Sequence, residues 1–320
     1  MITSQRTHIV FLKGIFINFL AVSLLFFITP SLCFAEDLIL STPTPTPTTE
    51  ALSSSAYKGW DNLAKRLIAD GIDPDEVKAV FNRDSIEPFT YVNFAINPQE
   101  SHAQYQLFLS PPRLKAGRAC LERYADGFKK SEGDFNVDRH ILAAIMLVET
   151  LCGKVTGGSV IFERLIRLAN IDDPNNVTNN FKRLKQTDPT LTRQKVADRA
   201  AYLVETFYPE ILAIFKIAHA TNSDVFEIKG SFAGAFGYTQ FLPSSFLKFG
   251  IDGNNDGIIS LFTPEDAIAS TAHFLSSYGW RDESTQAEKK QTLWKYNKSP
   301  AYVDTILQVA EALKKEDIKE

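Results

Sequence analysis

Histidine and cysteine are scarce in this chain, with five and three among 320 residues. His140, His219 and His273 stand in no recognisable pairing with Cys120 or Cys152, which argues against a cysteine nucleophile. Basic residues do not outnumber acidic ones: 34 Lys and Arg face 38 Asp and Glu, the formal net charge is −4, and no long basic run occurs. A nucleic-acid partner is thereby excluded, since nothing would neutralise a phosphate backbone. No internal repeat is visible. What remains is a chain long enough for one large domain or two modest ones, with ample material for a core.

The N-terminus is distinct from the rest. Arg6 and Lys13 precede a run from Gly14 to Ile28 without a charged residue, followed by Pro30 and Cys33-Phe34-Ala35. This layout predicts a secretory leader over residues 1–35, cut after Ala35. Two alternatives stay open: an uncleaved anchor, and a lipidated Cys33, against which Leu32 argues because a small residue is normal there. Residues 36–56 contain STPTPTPTT (Ser41–Thr49), which can neither build a core nor continue a helix and reads as a Thr/Pro-rich linker. After cleavage Cys120 and Cys152 are the remaining cysteines. They pair in a disulfide if the helices around them form a hairpin, or they are two buried thiols.

From Tyr57 onward the apolar spacing is helical. Trp60, Leu63, Leu67 and Ile68 form one stripe, and Val77, Val80 and Phe81 another. Further helices are expected at about 113–130, 138–152, 159–170, 193–219, 264–278 and 300–315, with Phe89–Phe94 (FTYVNF) the one strand candidate. The expected fold is mainly α with at most a small β element, organised as an N-terminal helical region over 57–135 and a core over 136–320.

Glu149 is the one carboxyl in the apolar run Ile141–Cys152. Asn136 or Asp138 can cap the start of that helix and Gly153 marks its end, so Glu149 falls in the last turn. Burial and the negative end of the helix dipole would both favour its protonated form, as a general acid requires. The competing reading is a structural glutamate bonded to an amide or an arginine.

The segment Lys229–Asp266 is the most informative. Gly230, Ser231, Ala233, Gly234, Ala235 and Gly237 alternate with Phe232, Phe236, Tyr238 and Phe241, and Gln240 supplies an amide. Small residues admit a ligand close to the backbone, and aromatic faces with one amide suit a sugar ring. Asp252-x-Asn254-x-Asp256-Gly257 then places oxygen donors at alternate positions before a sharp turn. The carbonyl of Ile258 fits position seven of such a cation loop. Thr263 stands where a bidentate Glu is usual, and Asp266, three residues on, can replace it or cap the helix beginning at Pro264. Donors that are all oxygen favour calcium over zinc, whereas an Asn-Asp-Gly turn that binds nothing is the plainer alternative.

Together, Leu147-Val148-Glu149-Thr150-x-x-Gly153, the block Gly230–Ser245, the loop Asp252–Asp266 and Tyr296-Asn297-x-Ser299-x-x-Tyr302 resemble the membrane-bound lytic transglycosylase B family, bacterial murein-cleaving enzymes with a lysozyme-like fold. The resemblance covers roughly residues 57–315. It implies that Glu149 is a single catalytic acid/base. It implies that Ser231, Tyr238 and Gln240 hold substrate beside it, that Tyr296, Asn297 and Tyr302 line the same groove, and that Asp252, Asn254, Asp256, Ile258 and Asp266 form a structural calcium site. The implied reaction breaks the MurNAc–GlcNAc β-1,4 bond of peptidoglycan without water, leaving 1,6-anhydro-MurNAc ends, and needs no organic cofactor. A monomer in the periplasm is expected, soluble or associated with the outer membrane through an uncleaved or lipidated N-terminus. A glycan-binding module without activity and a hydrolytic muramidase are the alternatives, and Glu163 and Asp172 are the second carboxyls the latter could recruit. The chain departs from the family at Cys152, where an aromatic is usual, at Phe274, where a cleft tyrosine is usual, and over 156–208, where only Phe207-Tyr208-Pro209 echoes a tyrosine- and arginine-rich stretch.

Overall fold

The computed structural model describes residues 56–98 and 102–317. The leader expected over 1–35 and, save for Ala56, the linker over 36–56 lie outside the described residues. The first apolar stripe forms α1 (Asp61–Ala69) and the second forms α2 (Pro74–Phe81). Asp73 accepts hydrogen bonds from the amides of Asp75 and Glu76, and Pro74 occupies the first helical position, where no amide is needed. Trp60 is fully buried between Phe81 and Phe89, at ring separations of 5.8 and 4.8 Å.

Phe89–Phe94 is extended but is not a strand. Its backbone pairs with side chains of a helix instead: Val92 N donates to Asn176 Oδ1 at 2.7 Å, Phe94 N to Asn180 Oδ1 at 3.2 Å, and Asn180 Nδ2 returns a bond to the Val92 carbonyl. Two buried asparagines one helical turn apart present amide groups much as a neighbouring strand would, so no strand partner is required.

The chain continues through α3 (His102–Gln106), a 3₁₀ turn (Leu107–Leu109), α4 (Pro111–Arg123) and α5 (Ala125–Phe135). The single helix expected over 113–130 is therefore two. The break falls at Tyr124, which leaves helical dihedrals (φ −115°, ψ 30°) and whose ring lies 6.5 Å from that of Tyr238. Helix propensity gives way here to a tertiary contact.

α6 (Arg139–Thr150) is the axis of the molecule, with every residue from His140 to Thr150 buried. A helix apolar on all sides needs neighbours on all sides. These are α4, α5, α11 (Pro264–Ser277) and α13 (Pro300–Asp317). One apolar core runs from Trp60 to Leu313, so helices from both sides of residue 136 share it. Beside this bundle, α7 (Ile161–Ala169) and α8 (Pro174–Thr187) pack on the 29-residue α9 (Arg193–Thr221), which also carries α10 (Pro243–Phe249). α12 (Gln286–Tyr296) begins with a capping box of Thr285 and Glu288. The β content is one antiparallel pair, β1 (Ser159–Val160) with β2 (Lys229–Gly230), in the register Ser159 to Gly230. The expectation of a mainly helical protein with a small β element holds.

Candidate active site

Glu149 ends α6 and is 4% exposed. The turn that follows is unusual. Leu151, Cys152 and Gly153 have φ of 53°, 59° and 80°, three left-handed residues in succession, two of which carry a β-carbon. Bonds from Leu151 N to the Leu147 carbonyl (3.0 Å) and from Cys152 N to the Met146 carbonyl (2.9 Å) close the helix in the manner of a Schellman turn.

Thr150 holds this turn against the glycine-aromatic block. Its hydroxyl donates to the Tyr238 carbonyl at 2.7 Å and accepts from Gly153 N at 2.8 Å. The Tyr238 ring covers Gly153 so closely that a β-carbon there would stand 2.3 Å from Cζ. Glycine is thus required twice over, by its dihedral and by the ring.

The block itself folds as a compact knot. Phe236 bridges to Phe241, Tyr238 N donates to the Leu261 carbonyl at 2.8 Å, and Gln240 takes a left-handed φ of 52°. Gln240 spends its amide hydrogens on the carbonyls of Thr156 (3.1 Å) and Gly237 (2.9 Å), while Oε1 is buried without a protein donor. Ser231 is buried, and its hydroxyl oxygen accepts from Ala235 N at 3.1 Å, inside its own loop.

The C-terminal segment supplies a wall of phenols. Tyr296 and Tyr302 stack with ring centroids 6.2 Å apart and planes 6° from parallel, and Tyr296 donates its hydroxyl hydrogen to the Thr239 carbonyl. Tyr302 is fully buried. Its hydroxyl has no hydrogen-bond partner among the described residues. Burial first, and then the Glu149 carboxyl, push both phenols well above the ordinary tyrosine value. Asn297 closes α12 through its backbone, donating to the Leu293 carbonyl at 2.9 Å.

The structure therefore gathers Glu149, Tyr302 and Tyr296 into one cluster, and joins Tyr238 to it through Thr150. Gln240 stands in the same knot with a vacant acceptor, whereas Ser231 faces its own loop. Asp172 is held by Arg66 at 3.2 and 3.3 Å, and Glu163 lies half-buried in the first turn of α7. A cavity of about 800 Å³ lined by Asp138, Trp280, Lys289 and Lys314 sits at the opposite end of α6 and takes no part in this cluster.

In the loop 252–266, Asp252 accepts from the amides of Asp256 (3.1 Å) and Gly257 (2.8 Å), Asn254 Oδ1 from Asp256 N (3.0 Å) and Asp256 from Ile258 N (2.8 Å). These bonds turn oxygens into the loop and leave lone pairs on each. Asp266 is fully buried and divides its carboxylate between Gly253 N and Ser260 N, both at 2.8 Å, which ties the two ends of the loop together. Among the described residues no three His, Cys, Asp or Glu side chains are gathered as a ready metal cage. The oxygen chemistry suits calcium, with Asp266 acting first as the loop's own brace.

Two contributors went unread in the sequence. Thr150 was visible only as a neighbour of Glu149. Glu210, beside Pro209 inside α9, reaches Ser244 N at 2.8 Å and Ser244 Oγ at 2.7 Å and so caps α10. Its buried carboxyl is pushed upward by desolvation, partly offset by those bonds. Nothing local in the sequence marks a residue that serves a helix 34 positions later.

Residues 55–292 match the family model described as the transglycosylase SLT domain. The chain belongs to this family. The SLT-domain chain is 30% identical over 198 residues to membrane-bound lytic murein transglycosylase B of Escherichia coli strain K12, an alignment covering 62% of this chain and 47% of that relative. It thus spans about half the length of the curated relative it matches. Its fold is that of Escherichia coli lytic transglycosylase SLT35, solved in complex with calcium (TM-score 0.58, 20% identity, 81% of this chain and 94% of the other). It is also that of Pseudomonas aeruginosa SltB3, solved in complex with NAG-anhNAM-pentapeptide (TM-score 0.60, 18% identity, 82% and 80%). The resemblance read from the motifs is borne out at the level of the family.

Proposed function

We propose that this protein is a murein lytic transglycosylase in which Glu149 serves as both acid and base. The observation that carries the reading is the buried Glu149 carboxyl in the last turn of α6, near the Tyr302 phenol and locked to the glycine-aromatic knot by Thr150. In its protonated form Glu149 gives its proton to the oxygen leaving C1 of N-acetylmuramic acid. The resulting carboxylate accepts the proton of that sugar's C6 hydroxyl as the hydroxyl oxygen attacks C1. The 1,6-anhydro ring closes, and no water is consumed. A tethered nucleophile of this kind has a large effective concentration, so one carboxyl suffices where hydrolases use two. Asp172, paired with Arg66, is not available as a second.

Gln240 Oε1, left without a donor, is the group we assign to a sugar hydroxyl or N-acetyl N–H, and Tyr238 and Tyr296 shape the floor beneath it. The NAG-anhNAM-pentapeptide held by the SltB3 neighbour is consistent with this chemistry. Calcium, present in the SLT35 neighbour, would bind Asp252, Asn254, Asp256 and the Ile258 carbonyl and stiffen the loop against the knot through Leu261. The expected site of action is the exported compartment that holds murein, reached by the leader read over residues 1–35.

The test is product analysis by mass. Purified protein incubated with murein sacculi should release muropeptides ending in anhydro sugars, and Glu149→Gln should abolish release while leaving sacculus binding and the thermal melt unchanged. Reducing ends would identify a hydrolase, and intact sacculi a binding module. Full turnover by the variant would remove Glu149 from the mechanism.

A further inference from the structure

Cys120 and Cys152 come together in the folded protein. Cys120 is buried on α4, 3% exposed, and Cys152 is half-buried in the left-handed turn after Glu149. Both are free thiols in this structure, and each feels the other's charge, which places them as neighbours. The surrounding helices hold the two in place. α4 packs along α6, and one turn before Cys120 the backbone of Gly117 presses against Leu147 so tightly that a β-carbon would stand 3.1 Å from it. Tyr124, one turn after Cys120, sets its ring 6.5 Å from that of Tyr238, and the Tyr238 ring covers Gly153, the residue after Cys152, so the two cysteines lie at the same end of the packed helices.

We propose that Cys120 and Cys152 form a disulfide that pins the strained turn behind Glu149 to α4. A residue with a β-carbon is disfavoured at a φ of 59°, so a glycine would suit position 152 better if conformation were the only demand. A cysteine there gains what a glycine cannot supply, a bond to the neighbouring helix that over-determines the turn.

The chemistry requires a disulfide donor, either an oxidised small thiol or a dithiol–disulfide oxidoreductase. Cys152, the more accessible of the two, loses its proton and attacks one sulfur of the donor, expelling a thiolate and leaving a mixed disulfide. Cys120 then loses its proton and attacks the Cys152 sulfur, expelling the second thiolate. The two cysteines give up two electrons and two protons, and the donor becomes two thiols. The neighbouring Cys120 thiol, and then burial, push the Cys152 thiol upward against the pull of Lys154 and Arg123, so uncatalysed closure is expected to be slow at neutral pH.

The experiment is independent of the reaction proposed above. Wild-type protein is equilibrated with oxidised or reduced glutathione, quenched with acid, unfolded, alkylated and mapped by peptide mass, which separates Cys33 from the pair. The expected result in the oxidising mixture is a linked Cys120–Cys152 peptide lacking two hydrogens, with a melting temperature about 5–10 °C above that of the reduced protein. Cys120→Ser should carry glutathione on Cys152, and Cys152→Ser should leave Cys120 unmodified. Two alkylatable thiols after oxidation, or a linked protein that melts no higher than the reduced one, would overturn the proposal.

Discussion

Thr150 donates its hydroxyl hydrogen to the Tyr238 carbonyl at 2.7 Å, tying the residue next to Glu149 to a block 88 positions further along. The same oxygen accepts from Gly153 N, so one hydroxyl both ends the helix and docks it. The position of Glu149 is therefore set in part by the hydroxyl of the residue beside it.

Replacing Thr150 with Val keeps the shape and deletes both bonds. The Tyr238 carbonyl and the Gly153 amide are left without their partner, at a cost of about 2–3 kcal/mol. Chemical denaturation should show that loss, and murein release by the folded fraction should fall in kcat more than in KM. Serine at 150 should restore most of both.

Gly153→Ala places a methyl group against the Tyr238 ring and a β-carbon at a φ of 80°. The sum of strain and overlap is about 3 kcal/mol or more. A melting temperature within a degree of the wild type would show that the ring moves aside freely and that the close cover of this turn is unimportant.

Asp138 caps α6 at the end opposite Glu149. Burial alone would raise its carboxyl, but bonds from His140 and Lys314 outweigh that and hold it well below the ordinary carboxylate range. Its contribution is then fully present above the unfolded value near ~4 and is lost as pH falls through the lower, folded value. Stability should decline on the acid side below about pH 4. Asp138→Asn, which keeps a good cap, should lower stability at neutral pH and flatten the acid limb of the pH–stability curve.

Calcium at about a hundred times its dissociation constant should raise stability by about 2.7 kcal/mol, and a chelator should reverse the gain. Asp256→Ala should lose the response while melting, without metal, close to the wild type, because Asp256 is exposed. Asp266→Ala should destabilise the protein even without calcium, since two buried amides lose their acceptor. Identical melts with calcium and with chelator would end the proposal of a cation site.

Much of this protein could be read along the chain. The stripe from Trp60 to Leu67, the wholly apolar helix bearing Glu149, the capped start of α2 and the Pro264 start of α11 are local signals, carried by spacing and by missing amides, whereas Thr263 and Asp266 form no capping box at α11. The helices α8, α10 and α12 were not anticipated, and two further misses were of one kind. Phe89–Phe94 has strand composition but takes its bonds from Asn176 and Asn180, and Tyr124 breaks a helix to reach Tyr238. In each case a partner remote in sequence outweighed a local preference.

The candidate site divides in the same way. Glu149, Gly153, Gln240 and the phenols were visible as residues of the right chemistry at telling positions. Their roles were not. Ser231 turned out to serve its own loop, Asp266 to brace a turn, and Glu210 to cap a helix it does not neighbour in sequence.

By itself the sequence determined the helical class and the family and singled out Glu149 as the candidate acid, because periodicity, capping and short motifs are properties of neighbouring residues. The tertiary structure alone decided that Thr150 locks to Tyr238, that Tyr302 stacks on Tyr296, and that the helix bearing Cys120 packs along the helix that leads to Cys152. Those are contacts between surfaces, and chain closure over tens of residues costs so little extra with length that spacing along the sequence carries almost no record of them.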